Sequence, residues 1–287
     1  MAGLFPDYEH QPTGRLRRFP RLRQVPIRLV LPNVVTLIGL CAGLSAIRMA
    51  LDHRFELAVY LIVFAAVLDG IDGRVARWLK GTSKFGAELD SLADFVNFGV
   101  APAILLYAWT LDQIKSLGWI VAMLFAVAMS LRLARFNSMI DVEKPAWQAD
   151  FFTGMPAPAG AMTVMLPLYV DLAFGLPMGV ELAVATALYM LVITFLTVST
   201  VPTYSGKKAG ARVPREWVLP LMAFAALVIA LMVSFPAEVM MVMTVIYLGL
   251  IPYGWVLYRR LERENRASTV PRDADKAGDD APSPSTN

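Results

Sequence analysis

The chain is 287 residues long, 57% apolar and only 17% charged, with a mean hydropathy of +0.55 and a net charge of +3. Soluble domains sit nearer half apolar and a quarter charged, so one large or two ordinary soluble domains are excluded, as are collagen-like, coiled-coil and disordered chains. One cysteine (Cys41) and two histidines (His10 and His53) rule out a disulfide framework and argue against a cysteine-rich or multi-histidine metal centre.

Residues 1–30 are polar and basic and lack the apolar stretch of a cleavable signal. Crossing a bilayer core about 30 Å thick takes roughly 20 mostly apolar helical residues. Segments near 33–51, 55–72, 86–110, 116–137, 155–174, 179–198, 217–235 and 237–258 meet that need. Lipid admits only helices or closed barrels, and these runs lack barrel alternation. The expected fold is therefore all-α, a polytopic membrane bundle of about eight helices. Phe235-Pro236-Ala237 reads as a tight hairpin between the last two. Residues 261–287 are rich in charge, Ser, Pro and Ala, and are expected to form a disordered tail. The expected divisions are thus a basic segment at 1–30, a transmembrane domain at 31–260 and the tail at 261–287.

Lys and Arg in short loops set orientation. Arg15, Arg17, Arg18, Arg21, Arg23 and Arg28 precede the first helix. On the same side fall Arg74, Arg77, Lys80 and Lys84, then Arg132, Arg135 and Lys144, then Lys207, Lys208, Arg212 and Arg215. The opposite loops carry Arg54 and Lys115. Both termini are therefore expected in the cytoplasm, at the inner cell membrane. Anionic headgroups are compatible partners for the basic N-terminal segment, and no nucleic-acid partner is expected.

Charge within a membrane helix is costly, which makes ionisable residues there functional candidates. Four aspartates violate the rule together. Asp69 and Asp72 share a helix face at the end of the second segment, and Asp90 and Asp94 share one at the start of the third. The short loop between makes the two helices antiparallel neighbours, so the four carboxylates can converge. Their repulsion must be relieved by protonation or by cations. Oxygen-only donors favour hard divalent ions such as Mg²⁺ or Mn²⁺, and two ions would balance four charges. Paired metals suit phosphoryl displacement. Gly70, Gly73, Ala76, Gly86, Ala87 and Ala93 leave room for close helix approach or a phosphate, and Arg77 can reach phosphate oxygens.

The full spacing, Asp69-x2-Asp72-Gly73-x2-Ala76-Arg77-x8-Gly86-x3-Asp90-x3-Asp94, resembles the signature of the CDP-alcohol phosphatidyltransferase family at every fixed position. The run from Asp90 to Pro102, the run Arg132-Leu-Ala-Arg135-Phe-Asn137, the run Phe152-Thr-Gly-Met-Pro-Ala-Pro158 and the stretch from Val198 to Ser205 are similar to segments of its membrane-embedded phosphatidylserine synthase branch. The resemblance implies that fold, with residues 31–260 catalytic. It also implies divalent-metal-dependent transfer of a phosphatidyl group from CDP-diacylglycerol to L-serine, with release of CMP. Carried over, Asp69 and Asp90 would each bridge both metals, with Asp72 completing one site and Asp94 the other. Asp94 would also be the general base. Asn33, Thr36, Gly73, Arg77 and Ser83 would hold the CDP-lipid. A homodimer is an expectation of the resemblance alone.

Serine's carboxylate needs a cation. Arg132 and Arg135 are candidates, with Lys144 and Lys207 as alternatives. Two other readings stay open at this point. One is the same transfer to glycerol 3-phosphate, an inositol phosphate or choline. The other is a cation transporter whose acids form an ion site.

Overall fold

The computed structural model describes residues 27–79, 83–139, 151–199, 202–204 and 214–269. The basic arginines before residue 27, Lys80, Lys144, Lys207, Lys208, Arg212 and the chain after 269 lie outside the described residues.

The first helix, α1 (Ile27–Leu51), runs antiparallel to α2 (Phe55–Trp78) across a three-residue turn. The two pack through small side chains: Ala42, Ala46 and Ala50 on α1 and Ala58 and Ala65 on α2 are all buried. Small residues let backbones approach, which is how helices associate where lipid gives no hydrophobic drive. The third membrane segment is a single 26-residue span, Lys84–Trp109, built in three pieces. These are α3 (Lys84–Asp94), one widened π-helical stretch (Phe95–Val100) and α4 (Ala101–Trp109). A 3₁₀ turn at Leu111–Ile114 leads into α5 (Ser116–Ser138).

The stretch read as one helix at 155–174 is broken. Helices α6 (Ala157–Val164) and α7 (Leu166–Phe174) meet at a 41° bend. Pro167 is the reason, because it has no N–H to give to the carbonyl of Thr163 four residues before it. The Tyr189 hydroxyl donates to that carbonyl instead, at 2.8 Å. Tyr189 belongs to α8 (Val180–Val198), so the break is stitched by a neighbouring helix.

Two short strands, unforeseen in an all-helical reading, sit at the ends of the long loops. β1 (Phe151–Thr153) pairs antiparallel with β2 (Pro202–Tyr204), Phe152 opposite Thr203. Gly154 follows with φ +78°, and a Cβ there would lie 2.7 Å from the carbonyl oxygen of Ser199. Only glycine meets both demands at no cost.

The hairpin helices α9 (Arg215–Ser234) and α10 (Pro236–Thr269) are joined by Phe235, with Pro236 opening α10 as expected of a first helical residue. α10 continues past residue 260 to Thr269, beyond the boundary expected for the tail. Leu261-Glu-Arg-Glu-Asn-Arg-Ala is mostly good helix formers, so the helix can extend without an apolar face. The core runs through the bundle: Phe98, Leu105, Phe125, Met129, Met165, Leu168 and Met190 are fully enclosed. α9 contributes no buried residue and is peripheral.

Among the described residues, six helices are long and apolar enough to cross a membrane, and seven if α6 and α7 count as one bent span. Large apolar side chains such as Leu44, Phe64, Leu131, Phe195 and Val233 point outward. The chain is a multi-pass membrane protein. α2 is missing from that count although it is 24 residues long. The carboxylates and arginines near its end make it too polar, which is the feature that singles it out functionally.

Candidate active site

The site lies where the start of α1, the end of α2, the start of α3 and the end of α5 come together. Asp69 and Asp72 are one turn apart near the end of α2, and Asp90 and Asp94 one turn apart on α3. Carboxylate oxygens of Asp69, Asp72 and Asp90 lie within 4.8 Å of one another. Asp94 is outside this trio but beside Asp69, within hydrogen-bonding reach of it. All four line one narrow void, together with Thr36, Gly39, Ala65, Ala93 and Asn97.

The Thr36 hydroxyl orients Asp72, donating to its Oδ2 at 2.8 Å and more distantly to the Pro32 carbonyl at 3.1 Å. Both Thr36 and Asp72 are buried. The donor set is all oxygen, close enough to share one ion, and rimmed by small residues. Those features fit a hard divalent cation and no softer metal. Asp69, Asp72 and Asp90 could hold one such ion, and Asp94 is placed to complete a second site against Asp69.

A cleft of about 190 Å³ opens from the same acids. Asp72 and Asp90 form one wall, and Asn33, Thr36, Gly73, Arg77, Ser83 and Gly86 line the rest. Every residue expected to hold the CDP-lipid is therefore in one cavity. Gly86 explains its shape. A Cβ at this position would come within 2.9 Å of Asn33 Oδ1 and 3.1 Å of Ser83 Oγ. Its absence lets α3 start against α1. Ser83 is also the N-cap of α3, accepting from the Gly86 N–H at 3.0 Å. The start of α3 thus faces the cleft with its partial positive charge, a setting suited to phosphate. Arg77 folds back over Gly73, its Nη1 3.6 Å from where a Cβ would stand.

The two arginines of α5 have different fates. Arg135 Nη1 donates to the Val198 carbonyl at 2.7 Å, tying α5 to the end of α8. Arg132 sits within electrostatic reach of Asp94 and Asp69, and its buried Nε has no hydrogen-bond partner. Two further links escaped the reading of the chain. Asn137 Nδ2 donates to Ser91 Oγ at 2.8 Å, latching α5 to α3 beside Asp90. Asn97 lines the acid void from the π-helical stretch. Asn137 was legible in the run around Arg132, whereas Asn97 depends on a helix widening that no local signal announces.

Residues 29–194 match the CDP-alcohol phosphatidyltransferase family profile, and residues 216–252 match the profile described as CDP-alcohol phosphatidyltransferase 2. The chain belongs to the CDP-alcohol phosphatidyltransferase family. It is 41% identical over 241 residues to the CDP-diacylglycerol–serine O-phosphatidyltransferase of Mycobacterium leprae, covering 82% of this chain and 77% of that one. The Mycobacterium tuberculosis protein of the same name is 40% identical over 236 residues, covering 82% and 81%. The Helicobacter pylori one is 31% identical over 239 residues, covering 83% and 96%. As a CDP-alcohol phosphatidyltransferase the chain is an enzyme, a transferase of substituted phosphate groups in phospholipid biosynthesis. Membership sets aside the ion-transport alternative. The family depends on metal, and this member presents the acidic trio that such an ion requires.

Proposed function

We propose that the chain transfers the phosphatidyl group of CDP-diacylglycerol to L-serine, giving phosphatidylserine and CMP. The observation that carries this reading is the shared wall. Asp72 and Asp90 belong both to the acidic trio and to the cleft whose other residues match donor-binding positions. The serine synthases among its relatives, alike over most of their length, support the acceptor.

In this reading Asn33, Thr36, Gly73, Arg77 and Ser83 hold the CDP-lipid, with Arg77 and the start of α3 taking the phosphates. Asp69, Asp72, Asp90 and Asp94 hold two divalent cations, Mg²⁺ or Mn²⁺. When bound, these draw charge from the pyrophosphate and ease the departure of CMP. Asp94 accepts the proton of the serine hydroxyl, a poor nucleophile until deprotonated. The serine oxygen then bonds to the phosphorus that carries diacylglycerol, and the bond from that phosphorus to the CMP oxygen breaks. Arg132 takes the serine carboxylate, since its guanidinium is close to Asp94 and incompletely paired. Arg135 has one of its donors committed to Val198, which ties it to the end of α8.

Residues 31–260 form the catalytic domain in this reading. The site faces the cytoplasm of the inner membrane, where serine and CMP are dissolved and the lipid tails remain in the bilayer. Pairing with a second copy is part of the same reading, tested by the mass of the detergent-solubilised protein. The function is tested with purified protein, CDP-diacylglycerol, Mn²⁺ or Mg²⁺ and one alcohol at a time. CMP and phosphatidylserine are expected with L-serine. Product with glycerol 3-phosphate and none with serine would overturn the assignment.

A further inference from the structure

An apolar cavity of about 360 Å³ lies between the bundle and the α9–α10 hairpin. Val63 and Ala66 of α2 and Met162 of α6 form one wall, and each also packs on the hydrophobic core. Met232 of α9 and Met240 and Met243 of α10 belong to the facing wall. α9 buries no residue, so it stands off the core instead of closing on it. Protein interiors hold few voids larger than a water molecule, so a space of this size calls for an occupant. Four methionines around it suit a flexible apolar one, because the unbranched thioether side chain adapts to irregular shapes.

The cavity and the donor cleft share a helix face. Val63, Ala66, Gly70, Gly73 and Arg77 follow one another on α2 at intervals of three, four, three and four, which sets them along one side of the helix. Val63 and Ala66 line the apolar cavity, and Gly73 and Arg77 line the cleft. Gly70 stands between, and no described atom lies within 4 Å of where its Cβ would be. No described side chain therefore closes this face between cleft and cavity. From Gly73 to Val63 the helix rises about 15 Å, half of the roughly 30 Å of a bilayer's hydrocarbon core. That is the depth of one leaflet, the distance over which a lipid held by its phosphate at Gly73 and Arg77 extends its tail.

We propose that this cavity seats a fatty-acyl chain of the CDP-linked donor, and of the phospholipid made from it, with the α9–α10 hairpin as its outer wall. The proposal rests on the reading of the cleft as the donor site. A tail that enters the cavity from the bilayer exchanges one apolar setting for another. The cavity therefore contributes register and chain-length preference more than affinity, holding the reacting phosphorus at a fixed depth against the acids.

The test follows CMP release by the purified full-length protein in detergent micelles, with serine, Mn²⁺ and CDP-diacylglycerol carrying either palmitoyl or hexanoyl chains. Val63→Phe fills the deep end of the cavity. It is expected to lower kcat/KM for the palmitoyl donor about tenfold or more, the usual result of a misplaced reacting group, and to leave the hexanoyl donor nearly unaffected. Met243→Trp narrows the cavity from the facing wall and should give the same pattern. Gly70→Leu bars the way from the cleft and should lower the value for both donors. Equal loss, or no loss, with the two donors in Val63→Phe and Met243→Trp overturns the proposal. The wild type gives a reading that needs no variant: a palmitoyl donor with a diazirine at mid-chain is expected to label α9 or α10 around Met232 and Met243, and excess unlabelled CDP-diacylglycerol to suppress that labelling. Labelling confined to other helices, or suppressed equally well by plain phospholipid, overturns the proposal and leaves the cavity to bulk lipid. A wild type that releases no CMP from either donor would instead remove the donor-site reading itself.

Discussion

The Thr36 hydroxyl of α1 donates to Asp72 Oδ2 of α2 at 2.8 Å, and both residues are buried. This bond joins the wall of the cleft to the acidic trio. A hydrogen bond to a charged group is worth about 1.5–3 kcal/mol. Thr36→Val, which keeps the shape, is therefore expected to reduce kcat/KM for CDP-diacylglycerol by about tenfold or more, and Thr36→Ser to retain most of it. Steady-state CMP release with each variant checks this.

Asp90 and Asp94 should separate ligand from base. Asp90 belongs to the oxygen trio and Asp94 stands outside it. Asp90→Asn is expected to lose Mn²⁺ binding and activity together. Asp94→Asn keeps the trio, so it should retain one Mn²⁺ while CMP release falls by about 10²–10⁴-fold, the usual worth of a positioned base. Chelation by EDTA should abolish CMP release from the wild type, and Mg²⁺ or Mn²⁺ should restore it. A variant at Asp94 that turns over normally would remove it from the base role.

Gly86→Ala sets a new methyl against Asn33 Oδ1 and Ser83 Oγ at 2.9 and 3.1 Å. Both side chains line the cleft and Ser83 caps α3, so making room for the methyl reshapes the cleft. Overpacking of this kind costs about 1–3 kcal/mol. The expected result is a raised KM for CDP-diacylglycerol with the KM for serine little altered, measured by varying each substrate in turn.

The arginines of α5 should give opposite signatures. Arg132→Ala is expected to raise the KM for serine at nearly unchanged thermal midpoint. Arg135→Ala leaves the Val198 carbonyl without this donor and should lower the midpoint, the loss of a part-buried bond costing about 0.5–1.5 kcal/mol. Thermal unfolding and serine titrations on the same preparations distinguish them.

The acids were readable in the chain because local periodicity places them. Intervals of three and four residues put Asp69 with Asp72 and Asp90 with Asp94 on common faces, and a short loop brings the faces together. The membrane segments were readable through their length and apolarity. Contacts between distant segments were not. β1 meets β2 through two three-residue strands far apart in the chain, too short to carry a pattern of alternation. The break at Met165 had a visible cause in Pro167, but its repair by Tyr189 comes from another helix. The widened turn at Phe95–Val100 has no compositional mark, so the burial of Asn97 could be seen only in three dimensions.

The seam of alanines and glycines between α1 and α2 extends from Ala50 and Ala58 up to Gly39, where an added Cβ would just reach Leu68 and the Ala65 carbonyl. A wedge driven into that seam, such as valine for Ala46, would splay the two rods and pull the Thr36 end of one away from the Asp72 end of the other. Damage to turnover can thus originate in greasy residues several turns from any substrate, and such lesions would look chemical while being mechanical.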